Sequence, residues 1–168
     1  MKNYKKSAVH TMIYMLARAK AKHFDLMLES ASIDVSARQF YLLRYIFRNN
    51  GCTQREISTD LCKDKTLITR MLGTLSRKEI LERRMDGEDG RIKRIFLTPK
   101  GEKLRDELLQ LYCRHEHDTI DGLSLAEIEQ FIITSKKMIK NCLSETEYDK
   151  IEKKLFCNIT TDLSELGC

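Results

Sequence analysis

Between positions 65 and 94 the chain gathers side chains that phosphates and base edges accept. Lys65, Thr66, Thr69 and Arg70 have the spacing that puts them on one face of a helix, and Arg84, Arg91, Lys93 and Arg94 flank the segment Asp86-Gly87-Glu88-Asp89-Gly90. Cations and short hydroxyls in this density suit a polyanion. No nucleophile with a paired base, no Gly-rich phosphate loop and no metal-spaced ligand cluster stands beside them, so neither catalysis nor a cofactor has residues to rest on. His115 and His117 are two apart on a predicted helix and face different directions, while His10 and His23 are isolated, so no metal site is expected.

The elements that must hold these groups follow from periodicity. Val9, Met12, Ile13, Leu16, Ala17, Phe24, Met27, Leu28 and Ala31 recur at helical spacing, which predicts one long amphipathic helix over 9–31. Ser36 with Gln39 forms a capping box before Phe40, Leu43, Ile46 and Phe47, a second helix that ends at Asn49-Asn50-Gly51. Thr53 with Glu56 opens a short third helix with Ile57 and Leu61 inward. Asp64 caps a fourth, with Ile68, Met71, Leu72 and Leu75 on its apolar face. Runs 80–85 and 92–98 read as strands joined by the Asp-Gly-rich turn, a β-hairpin. Thr98 and Pro99 start a helix carrying Leu104, Leu108, Leu111 and Tyr112, which breaks at Asp121-Gly122. Ser124 with Glu127 and Ser144 with Glu147 cap two more, the last holding Tyr148, Ile151 and Leu155.

Composition agrees with this mainly helical reading. The chain has 168 residues, 42% hydrophobic and 33% charged, with a single Pro and seven Gly, too little turn material for a sandwich or barrel. The net charge of +5 is unevenly placed: +6 over residues 1–52, +3 over 53–94 and −4 over 95–168. No apolar run reaches the roughly 18 to 20 residues of a membrane span, and the first residues do not read as a secretory signal, so no membrane partner and a cytoplasmic location are expected. The six cysteines are accordingly expected as reduced thiols. Cys52 precedes a helix N-terminus, whose dipole favours thiolate, and is the redox candidate.

Helix, helix, short helix, helix and hairpin is the order of a winged helix-turn-helix, whose later helix enters the DNA major groove. The stretches Thr53-Gln54-Arg55-Glu56-Ile57, Asp64-Lys65-Thr66-Leu67-Ile68-Thr69-Arg70, Leu81-Glu82-Arg83-Arg84, Asp89-Gly90-Arg91 and Leu97-Thr98-Pro99-Lys100-Gly101 resemble the MarR family of bacterial winged-helix regulators. The resemblance implies a winged core at 35–100 between an N-terminal dimerisation helix at 1–34 and C-terminal dimerisation helices and tail at 101–168. It implies a homodimer on palindromic double-stranded DNA, usually as a repressor. By position, Lys65, Thr66, Thr69 and Arg70 resemble the recognition-helix face, and Asp89 and Arg91 the wing-tip pair in which the acid orients the arginine toward the minor groove. Two positions depart from the family pattern. Glu79 stands where Gly is usual, so a left-handed helix end would cost roughly 1 kcal/mol and another turn geometry is expected. Gly90 stands where arginine is common, which removes one phosphate contact.

The resemblance also implies release by a small aromatic or phenolic effector, for which Tyr14, Phe40, Tyr41, Arg44 and Tyr45 would supply aromatic walls and one cation. Two rival readings share the fold: a thiol-based redox-sensing regulator, and a winged-helix module that binds protein rather than DNA.

Overall fold

The computed structural model describes residues 2–61, 64–149 and 152, and of residues 2–7 the backbone alone. In chain order the elements are α1 (Lys2–Ser30), α2 (Ala37–Arg48), β1 (Cys52–Thr53), α3 (Gln54–Asp60), α4 (Lys65–Arg77), β2 (Leu81–Met85), β3 (Lys93–Leu97), α5 (Pro99–Ile120) and α6 (Leu125–Lys140). They form two compact units, 1–111 and 112–168. The expected architecture, mainly helical with a winged core, is the one found.

Helix starts are set by the capping side chains. Ser36 accepts from the Gln39 amide and the Gln39 side chain answers on the Ser36 amide; Thr53 with Glu56 and Ser124 with Glu127 repeat the arrangement. Asp64 accepts from the amides of Thr66 at 2.8 Å and Leu67 at 3.0 Å, and these bonds hold its carboxyl below the usual range. The Ser144–Glu147 bonds also form, ahead of helical residues 145–149; Ile151 and Leu155 lie outside the described residues.

Apolar faces then fix how the winged core packs. Ile57 of α3, Ile68, Leu72 and Leu75 of α4, Ile95 of β3 and Leu42, Leu43 and Ile46 of α2 are all fully buried. Each such side chain contributes about 1.5 to 3 kcal/mol against leaving it in water. Phe24 of α1 meets Phe40 of α2 edge to face at 4.9 Å, and the Asp25 carboxylate accepts from the Ala37 amide at 2.6 Å, so α1 is joined to the core through its C-terminal half. The sheet holds a strand that periodicity did not predict. Two-residue β1 pairs antiparallel with β3, giving the order β1-β3-β2.

Among the described residues, two junctions take the left-handed backbone at a residue other than glycine. Ser32 after α1 has φ 57° and Glu79 after α4 has φ 58°. At Glu79 the amide donates to Ser76 O and the next amide, of Ile80, donates to Leu75 O, the paired bonds of a Schellman helix end. The expectation that Glu79 turns by another geometry is therefore corrected. Burial of Ile80 and Leu75 at either end of the motif holds a glutamate where glycine would be easier. A glycine is needed instead at Gly101, where a Cβ would collide with the Ile80 carbonyl oxygen as α5 begins. Thr98 ties the same corner, donating to Glu79 O at 2.6 Å and accepting from the Gly101 amide at 3.0 Å.

Candidate nucleic-acid interface

Because α4 buries Ile68, Met71, Leu72 and Leu75, its opposite face is left to solvent. Lys65, Thr66, Thr69 and Arg70 are all exposed there, directly behind the Asp64 cap. Thr69 is held in place. Its hydroxyl donates to the Lys65 carbonyl at 2.8 Å and accepts from the Gln54 side-chain amide at 2.6 Å, a link from the first residue of α3. Gln54 was not among the sequence-derived site residues, since nothing in its spacing reveals a partner fifteen positions away.

The hairpin places Arg84 directly opposite Arg94. Two like charges in register repel, and each is met by its own partners. Arg84 reaches Glu82 and lies over the Phe96 ring at 4.8 Å. Arg94 reaches Asp86 and the Gly51 carbonyl, the latter at 3.1 Å. Its guanidinium therefore braces the tip of the wing against the residue before β1, with 41% of the side chain still exposed. The bond from Arg94, helped by the amides of Asp89 and Glu88, holds the Asp86 carboxyl down at about 2.

Arg91 and Lys93 remain exposed, as does Arg83 on β2. Asp89 does not orient the Arg91 guanidinium. It accepts from the Arg91 backbone amide at 2.9 Å, shaping the tip while Asp86 accepts from the amides of Glu88 and Asp89. The expected wing-tip pair is here a backbone turn with a separate arginine, and the acid of segment 86–90 that pairs with an arginine is Asp86, with Arg94.

The MarR family model matches residues 35–93, the stretch from the end of the α1–α2 connection to the first residue of β3. That match spans 59 of the 168 residues, the winged core, and makes this part of the chain similar to the MarR family. It is 27% identical over 106 residues to the HTH-type transcriptional regulator BilQ of Clostridium symbiosum, covering 63% of this chain and 74% of that one. Among solved structures it is similar to a mutant of E. coli MarR complexed with operator DNA, at 25% identity and TM-score 0.71, covering 78% and 93% of the two chains. It is similar also to the MepR–DNA complex of S. aureus, at 26% identity and TM-score 0.68, covering 79% and 94%. The family match over the winged core and these likenesses support a winged helix-turn-helix regulator of the DNA-binding kind.

The other sequence-derived residues fare differently. Phe40 is core, packed on Phe24; Tyr14 stands 61% exposed on α1; Tyr45 donates to Asp60 at 2.9 Å; Tyr41 is exposed and Arg44 half-buried. None of the five lines either the cavity of about 600 Å³ bordered by Ile33, Lys78 and Lys103 or the one of about 410 Å³ bordered by Asp25, Arg38 and Arg70. The aromatic stripe at helical spacing is thus partly core and partly scattered. Cys52 is corrected too. Burial, with the Glu56 carboxylate nearby, pushes its thiol up to about 11, so the helix dipole does not make it a thiolate. Cys113 stands in a disulfide, against the expectation of six reduced thiols. Among the described residues no helix is long and apolar enough to cross a membrane.

Proposed function

We propose that the chain is a homodimeric repressor that binds a palindromic operator, with α4 in the major groove of each half-site and the wing tip, led by Arg91, at the neighbouring minor groove. One observation carries this reading: a helix anchored by four buried side chains presents Lys65, Thr66, Thr69 and Arg70 outward. A guanidinium at the tip suits a narrow, electronegative groove. Repression follows where the operator overlaps a promoter.

The dimer is supported by apolar faces with no cover. Helix α6 buries none of its residues in the single chain, leaving Leu125 71% and Phe131 60% exposed beside Ile132 and Ile133, and α1 exposes Met12, Ile13, Met15 and Leu16. Large apolar side chains exposed along a helix in this number mark an interface. A second copy also supplies the second half-site that sequence-specific reading requires. The scattered aromatic residues and the protonated Cys52 support neither an effector site nor a redox switch, and neither is part of the proposal.

Selection of bound duplexes from a random pool, followed by titration against salt, tests the reading. Expected are an inverted repeat with half-site centres about one helical turn apart and a steep fall of log affinity with log salt, about 0.9 per phosphate contact. Binding to no duplex at low ionic strength would leave the protein-binding module in its place.

A further inference from the structure

We propose that Thr69 reads thymine through its methyl group, and that Gln54 is the positioning residue that makes it do so. The inference rests on the operator-binding reading and adds a base to it. A threonine hydroxyl has one proton to give. That of Thr69 is given to the Lys65 carbonyl at 2.8 Å, and the same oxygen accepts the Gln54 amide at 2.6 Å. The hydroxyl therefore has nothing left to donate to a purine N7, to guanine O6 or to thymine O4. What the exposed side chain still offers a base is its methyl group, besides one acceptor lone pair on the same oxygen. In the major groove only thymine presents a methyl of its own, so an apolar contact at this position selects for it.

Gln54 enters because threonine on a helix divides between two χ1 rotamers, only one of which bonds the carbonyl a turn back. A second bond to the hydroxyl, from a different helix, holds the rotamer that points the oxygen inward. Gln54 lies at the first residue of α3, half-buried, and the link ties the start of the first helix of the pair to the reading face of the second.

The test uses the full chain and the selected operator with its thymines replaced singly by deoxyuridine, which lacks only the C5 methyl. One thymine in each half-site is expected at which replacement weakens binding about fourfold, the value of one buried methyl group. Thr69→Ser, which keeps the hydroxyl and loses the methyl, should erase that penalty; Thr69→Val, which does the opposite, should keep it. Gln54→Ala should shrink the penalty below about twofold while the salt slope stays that of the unaltered protein. The proposal is overturned if no deoxyuridine position distinguishes the unaltered protein from Thr69→Ser, or if Thr69→Val loses the penalty. Tight, salt-dependent operator binding in that case would leave the operator reading standing, whereas absence of duplex binding would remove both.

Discussion

Replacing Glu79 by glycine should make the protein more stable, although it deletes a charged side chain that has a partner. Glu79 holds φ at 58°, a conformation that costs a residue with a Cβ about 1 to 2 kcal/mol. Glycine adopts it freely but gives up more freedom on folding, which returns part of the gain. The Lys100–Glu79 contact at 3.5 Å joins two mostly exposed side chains, and such pairs contribute between roughly 0 and 1 kcal/mol before screening by salt. The Schellman bonds and the bond from Thr98 use only the Glu79 backbone and survive the change. Glu79→Ala isolates the side chain: it loses the ion pair and keeps the strain, for a change within about 0.5 kcal/mol. Glu79→Gly measured against Glu79→Ala then reports the backbone alone, an expected gain of about 1 kcal/mol. In thermal unfolding at fixed protein concentration that is a rise of about 2 to 4 °C for a chain of this size. Should the glycine variant melt no higher than the alanine variant, the left-handed turn carries no strain and the reasoning fails.

Other outcomes follow from the wing and the core. Arg91→Ala should weaken operator binding by about 1 to 3 kcal/mol in a titration while sedimentation shows an unchanged oligomer; equal affinity would remove Arg91 from the contact surface. Asp86 titrates lower in the folded chain than its ordinary value of 3.8, so its contribution is complete above that value and is lost as pH falls toward about 2. Denaturant titrations across that window should therefore show a shallower acid loss in Asp86→Asn than in the unaltered protein, and parallel curves would contradict the Arg94 bond. With its thiol at about 11 and its side chain buried, Cys52 should resist alkylation at pH 8 under conditions that label the exposed Cys142, and peptide mapping that finds the two modified equally fast would refute this environment.

Much of this architecture was legible because local signals and tertiary packing agree. The Ser36, Thr53, Asp64 and Ser124 caps each stand where a polar residue precedes an apolar period, and each forms its predicted bond. The buried face of α4 was equally legible, because burial of Ile68, Met71, Leu72 and Leu75 follows from spacing alone. Strand β1 was hidden: two residues carry no periodicity, and their pairing with Ile95 and Arg94 is a tertiary event. The wing tip shows the same limit. Residue type marked Asp89 and Arg91 as partners, yet Asp86 lies across the turn from Arg94 only once β2 and β3 are in register. Cys52 reversed its expected character because burial beside a carboxylate outweighs a short helix dipole. Glu79 kept a glycine's conformation because the packing of its neighbours outweighs a cost of about 1 kcal/mol.

The way Arg94 grips both Asp86 and Gly51 has a consequence for association. A loop such as 86–90, with two glycines and no apolar side chain, would ordinarily have to be immobilised as it docks, at about 1 to 2 kcal/mol of entropy for each residue frozen. Here part of that ordering is completed during folding, by the bonds of Arg94 to Asp86 and Gly51. On the proposed reading, the exposed side chains of Arg91 and Lys93 are then what remains to be ordered on arrival.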